Sequence, residues 1–143
     1  MVLVSGEVAR ITEFEKGFAT HYSMRDGVWE HDPWIRDDQC AIMNVRNKGL
    51  VVVTGCGHAG IINIIRNVQR ITGIDKVYAV LGGFHLTGGL FEPIIPATVA
   101  ALQKIKPRYL VPGHCTGFSA TYQLARAMPE AFIPNSVGTT YVF

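Results

Sequence analysis

The sequence carries little net charge, few cysteines and no long apolar run, and each shortage narrows what the chain can be. Its 13 lysines and arginines against 11 aspartates and glutamates leave a formal net charge of +2. These charges are spread along the chain and form no basic block, which argues against nucleic acid as the main partner. No apolar run approaches the roughly 20 residues that cross a bilayer, so no membrane span is expected. The first residues, Met1 to Glu7, lack the basic start and long apolar stretch of a signal peptide, and a cytoplasmic location is the expectation. The three cysteines, Cys40, Cys56 and Cys115, are odd in number and predict no disulfide framework. Apolar residues, by contrast, make up 48% of 143, enough for one domain whose core needs no covalent staples.

Residues 1–39 read as an irregular, short-strand segment that holds both tryptophans, Trp29 and Trp34, together with His21 and His31. Val2–Val4, Val8–Thr12 and Phe18–Tyr22 are candidate strands. Glu15-Lys16-Gly17, Arg25-Asp26-Gly27 and His31-Asp32-Pro33 read as turns. His21 and His31 have no evident partners and are assigned to the surface. From Cys40 the pattern sharpens. Ala41–Val45 and Leu50–Thr54 flank Arg46-Asn47-Lys48-Gly49, a hairpin signal. Ala59–Ile71 has the apolar spacing of a helix, with Gly73 just past its end. Val77–Leu81 is a short apolar strand. A helix from Pro93 or Pro96 to about Lys104 follows, since proline suits a first turn. Tyr109–Val111 is a third apolar run, Phe118–Met128 a third helix stopped by Pro129, and Thr139–Phe143 a closing strand.

This order predicts an α/β layer, a mixed sheet in residues 40–143 with helices on one face. Strands so uniformly apolar need cover on both faces. The sequence offers no second set of helices, so something else, such as another chain, is expected to cover the far face.

Three histidines stand just past the ends of three apolar runs, in Gly55-Cys56-Gly57-His58, Gly82-Gly83-Phe84-His85 and Pro112-Gly113-His114-Cys115. They recur about every 30 residues, the length of a strand–helix–strand unit. Parallel units bring their strand ends to one sheet edge, where open α/β folds bind ligands. Imidazole is a common metal ligand, so His58, His85 and His114 are candidates for one shared metal site. Cys56 and Cys115 lie within two residues of these histidines. Metal ligation and simple packing as small thiols under glycine-rich loops both remain open for them. Cys40 falls in a strand and is assigned to the core.

Gly55-Cys56-Gly57-His58-Ala59-Gly60 also fits G-x-G-x-x-G after a strand and before a helix, the setting of a dinucleotide-binding fingerprint. That fingerprint wants an acid at the end of the next strand, which here ends in Leu81-Gly82-Gly83. A nucleotide site is therefore the weakest of the readings, although a helix N-terminus there is expected to attract phosphate.

The strings Thr54-Gly55-Cys56-Gly57-His58-Ala59-Gly60-Ile61, Gly82-Gly83-Phe84-His85-Leu86 and His114-Cys115-Thr116-Gly117, in this order, resemble the metallo-β-lactamase superfamily. The nearest branch is that of metal-dependent hydrolases related to a dihydropterin–ribofuranosylaminobenzene phosphate synthase. Ser5-Gly6-Glu7-Val8, Phe14-Glu15-Lys16-Gly17 and Asp37-Asp38-Gln39 extend the resemblance over nearly the whole chain. Ala9 and Gly57 depart from it, standing where proline and serine are expected. The resemblance implies an αββα sandwich of two similar halves, of which this chain matches the C-terminal half. The H-x-H-x-D-H loop of the first half is absent from the sequence. His58 matches the superfamily's third metal-ligand motif and His114 its last, while His85 falls where most relatives place a bridging aspartate.

The resemblance further implies a divalent metal, zinc first and manganese or iron as alternatives, acting on a small phosphorylated substrate. Gly83, Cys115, Thr116 and Gly117 are candidate substrate contacts. Asp37 and Asp38 are general-base candidates by residue type, with a solvated turn ahead of a strand the favoured reading, and Glu7 and Glu15 fall near the substrate mouth or on the surface. Two readings lead. One is the C-terminal half of a metal-dependent hydrolase, incomplete without a partner carrying H-x-H-x-D-H. The other is a non-catalytic binding or assembly module of the same fold. The missing half is expected from a longer gene, from a complementary N-terminal-half subunit, or from a second copy in a two-fold homo-oligomer.

Overall fold

The computed structural model describes residues 2–143. Strand β1 (Val2–Val4) is followed by a hairpin of β2 (Tyr22–Arg25) and β3 (Val28–His31). Then come β4 (Cys40–Val45), β5 (Gly49–Thr54), helix α1 (Ile61–Thr72) and β6 (Val77–Gly83). Helix α2 (Ile95–Ile105), β7 (Tyr109–Gly113) and α3 (Phe118–Ala127) complete the order. Five strands form one sheet in the order β1-β4-β5-β6-β7. The pairs β1–β4 and β4–β5 are antiparallel, and β5–β6 and β6–β7 are parallel, so the sheet is mixed as expected. The hairpin β2–β3 stands apart, turning through Asp26 and Gly27, both with positive φ as a tight two-residue turn demands.

The register sorts the side chains into faces. Leu3, Ile42, Val52, Val80 and Leu110 form one row across the sheet. Ile42, Val52, Val80 and Leu110 join the buried clusters that receive Ile61, Ile62, Ile64, Ile65 and Val68 of α1, Leu102 of α2 and Leu124 of α3. Each such aliphatic side chain contributes roughly 1.5–3 kcal/mol on burial, so this interface dominates the fold's stability. The two adjacent rows point the other way: Val2, Met43, Val51, Ala79, Tyr109 and Val4, Ala41, Val53, Leu81, Val111. None of these ten side chains belongs to the helix-bearing clusters. All three helices therefore pack on one face; on the opposite face Val51, Ala79 and Val111 are buried by the chain itself, the other inner positions are half-buried, and only the β1 edge is open, with Val2 61% and Val4 64% exposed.

Three candidate strands do not form. Val8–Thr12 has another use for its amides: the N–H groups of Ile11 and Thr12 both donate to Asn63 Oδ1, at 2.9 and 2.8 Å. Phe18–Tyr22 turns instead of extending, with the His21 N–H on the Phe18 carbonyl, and strand pairing starts only at Tyr22. Thr139–Phe143 finds no sheet edge, because residues 131–133 already occupy the free side of β7 through bonds from Leu110 N–H to Ala131 and from Ile133 N–H to Leu110. That tail instead brings Phe143 against Tyr78 and Tyr109, with ring centroids 6.0 and 6.1 Å away, over one end of the open face. Tyr78 is the residue left over in a bulge, since Leu50 pairs with Val77 and Val51 with Ala79.

The irregular N-terminal segment is fixed to the layer by one buried carboxylate. Glu15 accepts the N–H groups of Ile62 and Asn63 at 2.8 and 2.7 Å and the Thr12 hydroxyl at 3.0 Å. It thus satisfies two of the free donors at the start of α1, where no residue of the helix's own cap does so. Gly60, at φ +88, leaves the room; a Cβ there would run into the Glu15 side chain. Burial pushes the Glu15 carboxyl above the usual carboxylate range, against the pull of the two amides, the Thr12 hydroxyl and Arg10. The seat a pyrophosphate would take on a G-x-G-x-x-G helix is filled by this side chain, which removes the dinucleotide reading and the expected attraction of phosphate to this helix end. Glu15→Ala leaves two buried N–H groups without acceptors and is expected to lower stability by on the order of 1–3 kcal/mol. Urea unfolding checks this as a lower midpoint at unchanged slope, and an unchanged midpoint would refute the capping role.

Candidate metal centre

The parallel strands β5, β6 and β7 end at one edge, and the three histidine-bearing loops leave from there. Hydrogen bonds stitch the loops together. Gly83 N–H donates to Gly55 at 2.9 Å, and the Thr54 hydroxyl to Gly83 at 2.8 Å. Thr116 is buried; its hydroxyl donates to the Gly113 carbonyl at 2.7 Å and accepts the Phe84 N–H at 3.2 Å. A Cβ on Gly83 would lie 2.6 Å from the Gly55 oxygen and 2.9 Å from Cys115 Sγ. Gly117, at φ +79, packs against Thr87. Gly83, Thr116 and Gly117, candidates for substrate contact, are thus engaged in holding the loops to one another.

His58 and His85 meet edge to face, with ring centroids 4.4 Å apart. Both rings are half-buried. Phe91 flanks His85 on another side at 4.5 Å. His85 Nδ1 is buried and meets no hydrogen-bond partner, an unusual state for a ring nitrogen. Burial first, and the neighbouring His58 second, push the His85 imidazolium below its usual range. The ring is therefore neutral near pH 7, the form that binds metal. His85 and His114 both sit in the left-handed backbone region, at φ 45 and 50. Residues held there without being glycine cluster at ligand clamps and active sites.

His114 takes a different place from the other two. It is exposed on the short 3₁₀ turn after β7, and its tight neighbours are Cys56 and Cys115, the three ligand atoms lying within 4.8 Å of one another. Cys115 Sγ donates to the Cys56 carbonyl at 3.0 Å. Cys56 and Cys115 are half-buried and Cys40 is buried. The three histidines thus share one sheet edge, with two rings in contact and the third grouped with the thiols. A neutral imidazole with an unmet buried nitrogen, a second imidazole against it and a Cys-His-Cys group nearby form a donor set that suits a divalent metal.

The sequence reading missed Asp38. Its side chain is 6% exposed, Oδ1 lies 3.8 Å from His58 Nδ1, and Oδ2 accepts the Ala59 N–H at 2.8 Å. The signal was the hairpin itself. Cys40 pairs with Thr54, so residues just before β4 lie opposite residues just after β5. At 3.8 Å the two groups are neighbours without a hydrogen bond, a carboxylate set beside an imidazole. Asp37 is exposed, as a solvated turn would have it. Arg10 ties the N-terminal segment to the same loop, donating to the His58 carbonyl at 3.1 Å and to the Trp34 carbonyl. His21 Nδ1 and His31 Nε2 lie 3.0 and 2.7 Å from the Asp32 and Ala19 carbonyls, and His21 lines a second, shallow pocket with Asp38, Cys56 and His58. A cavity of about 490 Å³ opens beside the His58–His85 pair, walled by Phe14, Phe84, Phe91 and Leu86.

Comparison with known proteins places this geometry. No family model matches the chain. It is 41% identical over 96 residues to the 7,8-dihydropterin-6-methyl-4-(beta-D-ribofuranosyl)-aminobenzene-5'-phosphate synthase of Methanocaldococcus jannaschii, a match covering 67% of this chain and 32% of the relative. An uncharacterized protein of the same organism is 33% identical over 137 residues, covering 96% of this chain and 48% of the relative. The crystal structure of a metal-dependent hydrolase of the β-lactamase superfamily superposes with a TM-score of 0.80 at 26% identity, covering 96% of this chain and 52% of the other. The chain spans about half the length of these relatives or less. No helix among the described residues is long and apolar enough to cross a membrane. The chain thus shares the fold of a metallo-β-lactamase-superfamily hydrolase over nearly its whole length and is similar in sequence to the dihydropterin–ribofuranosylaminobenzene phosphate synthase.

Proposed function

We propose that the chain is the C-terminal half of a metallo-β-lactamase-fold, metal-dependent hydrolase, with His58, His85 and His114 presenting its share of the ligands. The observation that carries this is the His58–His85 contact at the carboxyl edge of the parallel strands, with the His85 Nδ1 buried and unpartnered. Imidazole ligands suit zinc, and manganese or iron are the alternatives. A bound metal would supply hydroxide at neutral pH and polarise a phosphoryl or carbonyl oxygen. His58 and His85 would hold it, and Asp38 would keep the His58 ring in place. The relative's name contains a phosphate ester and an aromatic ring system. A small phosphorylated substrate fits that pattern: Phe14, Phe84 and Phe91 line a cavity for a flat ring beside the histidines.

Two buried carboxylates near the centre are engaged, while Glu13, exposed on the cavity wall, is not. Glu15 lines the cavity, but both its oxygens accept α1 amides, and Asp38 Oδ2 accepts the Ala59 N–H. Glu15 is not free to take a proton from water, whereas Asp38 Oδ1 beside His58 and the cavity-wall Glu13 carry no hydrogen bond; the remaining metal ligands would come from a second half. The apolar rows of the open sheet face and the half-length match to relatives support that reading. Either a complementary N-terminal-half subunit or a second copy of this chain would cover the face.

Purified protein is expected to carry zinc, manganese or iron that the His58→Ala, His85→Ala double variant loses. Asp38→Asn is expected to weaken that metal by about 10–100-fold. Elemental analysis and metal titration read both effects. Folded wild-type protein that takes up no metal would favour the non-catalytic assembly module. Light scattering is expected to give a mass above that of one chain, and Val53→Lys, which places a charge in the middle of the open face, to lower it. A wild-type mass of one chain would rule out self-pairing and leave the separate or covalently joined half.

A further inference from the structure

The Cys56, His114 and Cys115 group differs from the histidine pair in chemistry and in place. Two thiols and one imidazole converge from two elements, the loop after β5 and the turn after β7, with their ligand atoms within 4.8 Å. A tetrahedral zinc with bonds of about 2.3 Å to sulfur and about 2.0 Å to nitrogen needs such atoms roughly 3.5–4 Å apart. Small side-chain rotations close that gap, with the Cys115 thiol giving up its bond to the Cys56 carbonyl as it turns to the ion. The absence of a side chain on Gly83 lets the Cys115 sulfur come this close to β6. His114, held at φ 50 and exposed, sits on the solvent side of the group.

We propose that Cys56, His114 and Cys115 form a thiol-rich zinc site, with water at the fourth position, that pins the loop after β5 to the turn after β7. It goes beyond the histidine reading: it takes His114 out of that set, leaving His58 and His85 to hold the other metal, and needs neither of those two rings. Binding releases one proton from each thiol to solvent and leaves two thiolates on the ion. Thiolate ligands select zinc over magnesium, calcium and manganese, so the site is selective where the histidine pair is less so.

Cobalt(II) titration of the reduced, metal-free full chain tests the assignment, since thiolate ligation gives an intense near-ultraviolet charge-transfer band that imidazole ligation does not. The band is expected in the wild type, bleached by added zinc. It is expected to be lost in Cys56→Ser and in Cys115→Ser, each checked for folding by circular dichroism. The His58→Ala, His85→Ala variant is expected to keep it. Zinc is also expected to slow alkylation of Cys56 and Cys115 relative to Cys40. Cobalt bound without the band, a band that survives both serine variants, or a band lost with His58 and His85 would each overturn the proposal. The first of these outcomes leaves the histidine centre standing, because weak visible cobalt bands report it separately.

Discussion

The carboxylate of Glu15 on the first amides of α1 fixes more of this structure than any other single contact. It closes a helix that has no cap of its own, and it anchors a segment that has little regular structure. It also settles the loop in between. Gly60 must lack a side chain for Glu15 to enter, and Gly60 is two residues beyond His58. Asn63, in the same first turn, accepts Ile11 and Thr12, and Arg10 reaches back to the His58 carbonyl. The N-terminal segment therefore acts as a clamp on the histidine loop, and the aromatic cavity exists because Phe14 is carried into place with Glu15.

Much of the layer was legible in the sequence because local and long-range signals agree there. Val77, Val80 and Leu110 are apolar both as strand formers and as partners of the helices, and Gly73 ends α1 with φ 67. Where they disagree, reading failed. Val8–Thr12 has the composition of a strand, yet a side chain from α1 takes its amides. Thr139–Phe143 has it too, yet the edge it needed is taken. The spacing of the histidines gave the correct sheet edge, since strand order controls that. It did not separate His114 from the other two, because side-chain direction at a left-handed residue is invisible in spacing. Asp38 was hidden for a related reason: its meaning comes from a cross-strand register.

The sheet has two characters. One face meets three helices along an unbroken apolar row, and the other carries ten apolar-row positions that no helix covers. The aromatic group of Tyr78, Tyr109 and Phe143 lies over one end, and Val51, Ala79 and Val111 are buried as well, so the exposed part is the β1 edge. The same parallel strands that leave this face open also aim the three loops at the rim where a second layer would dock. The three histidine loops and the helix-free face thus meet along one rim of the sheet.

His85 and His114 hold backbone angles that glycine or asparagine would adopt at less strain. The fold by itself would be more stable with either of those residues, a gain that simple drift toward stability would collect. Imidazole at both bends therefore costs the scaffold some stability, which the ligand role proposed for the rings would account for. Any lineage freed from that duty should betray itself first at these two positions.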